Sequence, residues 1–150
     1  GDKQSPARRR SDAAALRARG FCYQNLVQFT KAIESYRESL RHAPKQAGIL
    51  NQLAWIQAAC PDESARNGRE AVKAAKEACE LTHWQSSQFI DTLAAAFAEA
   101  GDFSSAVKYQ KQAIKLGDTN EAVIGQMKER LLLFEKNQAF HETKDVSLSN

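Results

Sequence analysis

An all-α fold made of stacked antiparallel helix pairs is what this sequence predicts, and three observations predict it. No stretch alternates apolar and polar residues as a half-buried strand must, whereas patterns at i, i+3 and i+4 such as Leu93, Ala94 and Phe97 recur along the chain. The pattern itself repeats: Leu16, Leu50, Ile90 and Ile124 hold one equivalent position, 34, 40 and 34 residues apart. Small residues return at the same offsets, with Gly20, Ala54 and Ala94 in one helix of each pair and Ala32, Ala71 and Ala106 nearly aligned in the other. Such residues suit places where helices touch.

The chain has 150 residues, 43% of them hydrophobic and 26% charged, enough for one folded domain and far from a disordered composition. Residues 1–11 are expected to be a basic, disordered segment. Lys3, Arg8, Arg9 and Arg10 against Asp2 account for the whole net charge of +3, leaving 17 basic and 17 acidic residues in the remainder. A nucleic-acid footprint would continue onto the body of the fold, so no nucleic-acid partner is expected. No apolar run reaches the roughly 20 residues that cross a bilayer, and no apolar core follows the basic cluster as in a secretory signal. The segment is expected to be soluble and without a membrane partner, and cytoplasmic location is favoured over secretion. Its first residue is Gly, which fits an excised piece of a larger protein.

Helical domain 12–137 follows, with breaks near 24–28, at His42-Ala43-Pro44, at 60–67, at 82–86, at Gly101-Asp102 and at 116–119. These divide it into repeats at about 13–46, 47–86 and 87–120, with helices of roughly 12 to 16 residues joined by short turns. Five extra residues fall inside the middle pair, in the loop "CPDESARNG". Lengthening that turn costs on the order of 1 kcal/mol in loop entropy. Asn67 is a suitable N-cap for the helix after it, and Asp62 or Ser64 can tie the loop to its own backbone. Trp84, just past a helix end, is expected to fill the gap made by one further residue. Residues 120–137 read as a capping helix with Ile124, Met127, Leu131 and Phe134 in one stripe, and Lys128 in place of a small residue. Leu132 and Leu133 either meet the preceding pair or form a self-association patch. Residues 138–150 lack periodicity and are expected to be a mobile tail.

The stretch "LAAAFAEAGDFSSAVKYQKQAIKL" resembles a regular tetratricopeptide repeat through Leu93, Ala94, Phe97, Gly101, Phe103, Ala106 and Ala113. "YQNLVQFTKAIESYRESLRHAP" resembles a second copy through Tyr23, Phe29, Ala32, Tyr36, Ser39 and Pro44, and the 34-residue period is that family's own. The likeness spans about residues 12–118. "LNQLAWIQAACPD" in the middle repeat resembles a variant common in bacterial repeat proteins. Departures are Arg19 where Leu53 and Leu93 stand, Gln57 where Tyr23 and Phe97 stand, and His83 and Asp118 where Pro44 stands. The first helix should therefore pack less tightly, with Trp55 and Ile56 doing the packing in the second pair.

The resemblance implies a right-handed superhelical solenoid of three repeats plus the capping helix. It also implies a concave groove, lined by the first helix of each pair, that holds a peptide or protein segment. The groove positions are Arg17, Phe21 and Gln24, then Asn51, Trp55 and Ala58, then Gln88, Asp91 and Ala95. Asn51 and Gln88 can bond a peptide backbone, Arg17 suits a carboxylate, Asp91 a basic residue, and Phe21 and Trp55 offer apolar contact. The lysine and asparagine set with which some members clamp a terminal carboxylate is absent.

Catalysis, cofactors and metals find no support. There is no glycine-rich phosphate loop, HExxH or GxSxG, and His42, His83 and His141 lie at helix ends or in the tail. Cys22, Cys60 and Cys79 are too few and too dispersed for a disulfide framework, and Cys79 with His83 supplies only half of a closed zinc site. Two functional readings stay open: a protein-interaction module that binds a partner in the groove, and a structural module that self-assembles through the ends of the array.

Overall fold

The computed structural model describes residues 4–144. Seven α-helices follow in order: α1 (Pro6–Asn25), α2 (Phe29–His42), α3 (Ala47–Ala59), α4 (Gly68–Leu81), α5 (Ser87–Glu99), α6 (Phe103–Leu116) and α7 (Glu121–Glu135). One 3-10 turn, Glu63–Ala65, lies between α3 and α4. α1 packs on α2, α3 on α4 and α5 on α6; α5 also packs on both helices of the preceding pair, and α7 covers α6. The result is an all-α solenoid.

Local chemistry sets most of the helix starts. Ser5 accepts a hydrogen bond from the Arg8 amide with Pro6 in the first turn, and Asn67, Ser86, Asp102 and Asn120 cap α4, α5, α6 and α7 in the same manner. The Ser5–Pro6 start corrects one boundary. Residues 6–11, expected to be disordered, are the first turns of a 20-residue α1, and only residues 1–3 of that segment lie outside the described residues.

Helix ends follow a second rule. At α1, α4, α5 and α7 the same paired reverse hydrogen bonds close the last turn, with Val27, His83, Gly101 and Asn137 as the left-handed residue. Glycine fills that position once. The departure of His83 from the repeat pattern thus falls on a turn that bends the chain, and Trp84 after it, also left-handed at φ 58°, stacks on Tyr109 with ring centroids 5.9 Å apart. Tyr109 stacks in turn on Phe97.

The core explains the alanine-rich composition. Ala32, Ala54, Ala71, Ala94, Ala106 and Ala113 are completely buried, so helix backbones approach to where a larger side chain would not fit. Glycine takes this further: a Cβ on Gly68 would stand 2.4 Å from the Ala100 backbone nitrogen, so the start of α4 and the end of α5 meet main chain to main chain. Ile56, Ile90, Leu93, Met127 and Phe134 fill the remaining space. Ile56 packs as expected, whereas Trp55 is only half-buried. In α1 only Ala13 and Gly20 are buried, yet the helix packs closely on α2, where a Cβ on Gly20 would stand 2.4 Å from the Tyr36 ring. Leu133 meets the core, while Leu132 is exposed.

The inserted loop closes back on α3. The Asn67 amide donates to the Gln57 carbonyl, Arg66 Nη1 donates to the Cys60 carbonyl, and Asp62 Oδ1 accepts from both the amide and the hydroxyl of Ser64. Two carbonyls left over at the end of α3, those of Gln57 and Cys60, are thereby consumed.

Candidate functional site

First helices of successive pairs present adjoining faces, and a cavity of about 360 Å³ opens where α3, α5 and α7 converge. Asn51, Gln52 and Trp55 of α3 line one side, Gln88, Asp91 and Thr92 of α5 the floor, and Val123, Gln126, Met127 and Arg130 of α7 the far wall. Four of the groove positions read from the sequence, Asn51, Trp55, Gln88 and Asp91, therefore lie together. Gln88 is exposed, and Asn51 is buried with its Oδ1 unpartnered among the described residues. A buried acceptor without a donor is costly unless something supplies one.

Asp91 differs from expectation in its partners. Its carboxylate is 8% exposed and accepts from Arg130 Nε and Nη2 at 3.2 and 2.7 Å and from Gln110 Nε2 at 2.8 Å. Gln110 also donates to the Met127 carbonyl, which fixes its amide with both hydrogens directed at acceptors. The charge of Asp91 thus goes to holding α7 against α5. Arg130 escaped the sequence reading because a capping helix was expected to contribute only its apolar stripe. An Asp in α5 and an Arg in α7 carry no local signal of pairing.

Arg17, Phe21 and Gln24 lie outside this cavity. Arg17 Nη1 donates to Gln46 Oε1 at 2.6 Å, and Gln24 accepts from the Tyr36 hydroxyl at 2.7 Å while donating to Gln52. Phe21 is 40% exposed and sets its edge on the Tyr36 ring. Ala58 and Ala95, also placed in the groove by the repeat alignment, are fully buried beneath neighbouring helices.

A third contributor comes from beyond α7. Residues 138–144, expected to be mobile, lie back over α3, and only 145–150 of that tail fall outside the described residues. Phe140 stands 5.9 Å from the Trp55 ring and 5.3 Å from the Arg130 guanidinium, which itself sits 5.6 Å from Trp55. Trp55 Nε1 donates to the Glu142 carboxylate, the Glu142 amide donates to the Ala59 carbonyl at 2.7 Å, and His141 Nε2 meets Glu99 Oε2 at 2.5 Å. Glu99 already accepts from Arg66 of the inserted loop, so loop and tail share one carboxylate. A second cavity of about 380 Å³, bordered by Trp55, Arg130, Phe140 and Glu142, continues the first.

Burial pushes the Cys60 thiol up to about 11 and the Cys79 thiol to about 12, so neither is a nucleophile near neutrality. Among the described residues no three His, Cys, Asp or Glu side chains converge as metal ligands would, and no helix is long and apolar enough to cross a membrane. What the site presents is an exposed amide in Gln88 and an aromatic–guanidinium pair in Trp55 and Arg130.

No family model matches the chain, and no curated protein matches it. Among solved structures it resembles the N-terminal domain of stress-induced protein-1 (STI-1) from C. elegans, at 17% identity and a TM-score of 0.61, covering 81% of this chain and 95% of that one. The likeness is one of fold, and the fold of this chain is a tetratricopeptide-like stack of helix pairs.

Proposed function

We propose that this chain is a protein-interaction module that holds an extended segment of a partner on the face formed by α3, α5 and α7. The observation that carries this reading is the 360 Å³ cavity along whose lining the exposed Gln88 and the half-buried Trp55 stand with Asn51. The exposed Gln88 amide suits a peptide backbone, and an apolar side chain suits the Trp55 ring. Phe21 extends the apolar contact toward the first pair, where Arg17 and Gln24 are already engaged.

Selection from a displayed library of random 12-residue peptides tests this. Enriched peptides should lose about tenfold in affinity on Asn51→Ala and on Gln88→Ala, with melting temperatures held nearly constant; peptides indifferent to both changes would place the interaction elsewhere. A second reading, assembly between copies, is favoured by Leu26 and Val27, exposed by 61% and 51% at the turn after α1. A molar mass by light scattering that stays monomeric across a concentration series rejects it.

A further inference from the structure

The tail behaves as a ligand of the chain that carries it. Between Ala139 and Glu142 the chain has no helical or strand pairing of its own, yet it is tied to other elements at successive residues. Phe140 and Glu142, two apart and so on one side of an extended segment, both meet Trp55; His141 between them meets Glu99 instead. A main-chain bond, from the Glu142 amide to the Ala59 carbonyl, satisfies a carbonyl that the end of α3 leaves without a helical partner. Arg130 completes the seat by lying over the Phe140 ring. An aromatic contact, a carboxylate anchor and a main-chain bond together hold this extended segment.

We infer that residues 139–142 are a built-in occupant of the part of the groove face made by Trp55, Arg130 and the end of α3, beside the Asn51–Gln88 cavity, and that they report the chemistry of its partner. That partner is an extended protein segment with an aromatic residue followed two positions later by a carboxylate, which must displace the tail in order to bind. The inference rests on the groove reading above and adds the identity of the occupant. Only the short turn after α7 separates the tail from its seat, so the effective concentration is on the order of millimolar. Even an intrinsic dissociation constant of roughly 0.1 mM then keeps the Trp55–Arg130 seat filled about ten to one and weakens a competing partner about tenfold.

The test uses the full chain and a fluorescein-labelled peptide of residues 137–144, NQAFHETK, read by fluorescence anisotropy. Phe140→Ala with Glu142→Gln in the chain should raise its affinity for the peptide at least tenfold over the unaltered chain. A peptide carrying the same two changes should bind neither. Because Phe140 touches the core, His141→Ala with Glu142→Gln, which keeps the ring, serves as a second opened chain and should give a smaller gain in the same direction. Equal binding to closed and opened chains overturns the inference, as does failure of the peptide to bind opened chains that melt normally. If library peptides bind the intact chain through Asn51 and Gln88 with no gain on opening, the built-in occupant is rejected while the groove reading stands. If no peptide binds any of these chains, both fall.

Discussion

Arg130 grips Asp91 through two hydrogen bonds, from Nε to Oδ1 and from Nη2 to Oδ2, although 39 residues separate them. The side chains are 11% and 8% exposed, so the pair is a buried one. Removing one member of such a pair leaves the other charge without a counterion in a poorly solvated place, at a cost of about 3–5 kcal/mol. Arg130→Met should therefore lower stability by about that amount in urea unfolding. Adding Asp91→Leu should recover most of the loss, because an apolar pair of similar volume replaces the ionic one at little net cost. A single Arg130→Met variant with an unchanged midpoint would mean that water reaches Asp91 freely.

Val27 is the misfit among four equivalent helix ends. It closes α1 at φ 58°, a conformation that costs an L-residue about 1–2 kcal/mol, while its side chain is half exposed and contributes little packing. Val27→Gly should stabilise the chain by up to about 1 kcal/mol after the entropy glycine adds to the unfolded state is subtracted. Gly101→Val, the reverse experiment at φ 88°, should cost about 1–2 kcal/mol. Thermal or urea unfolding reads both, and a destabilised Val27→Gly variant would refute the strain.

Cysteine reactivity should divide the three thiols sharply. Cys22 is exposed, whereas Cys60 and Cys79 are buried. At pH 8 an aromatic disulfide reagent should modify one thiol promptly and the other two only on unfolding. The buried pair also implies a direction for alkaline stability. Their folded values, about 11 and about 12, stand above the ordinary 9.0, so folding favours the neutral thiols. That contribution is complete below pH 9 and declines as pH rises toward the folded values, because the unfolded chain releases its thiol protons first. Melting temperature should fall between pH 9 and pH 11, more steeply than in a Cys79→Ser variant.

The array was legible in the sequence because it is repetitive: Ala54 and Ala94 fall at matching offsets and are buried as that spacing demands, and Asn67 caps α4 as its position before a helical run implied. Asn51, Trp55, Gln88 and Asp91 could be placed on adjoining helix faces for the same reason. What escaped was everything that depends on one-off contacts across long separations. Glu142 meets Trp55 across 87 residues from a segment with no periodicity, and Arg130 reaches Asp91 from a helix read only for its apolar stripe. Ala58 and Ala95 were misplaced because an offset gives a direction around a helix but not how deeply the neighbouring helices cover it.

The close approach of Gly68 to Ala100 gives the array unequal stiffness along its length. Main chain against main chain leaves no side-chain layer to slide at this point, so the second and third pairs should move together. The first pair is joined to that block partly through amide and guanidinium contacts, Arg17 to Gln46 and Gln24 to Gln52, which reform easily after small displacements. Thermal agitation should therefore bend the molecule first near its amino-terminal joint, with amide hydrogens of α1 and α2 exchanging faster than those of α4 and α5.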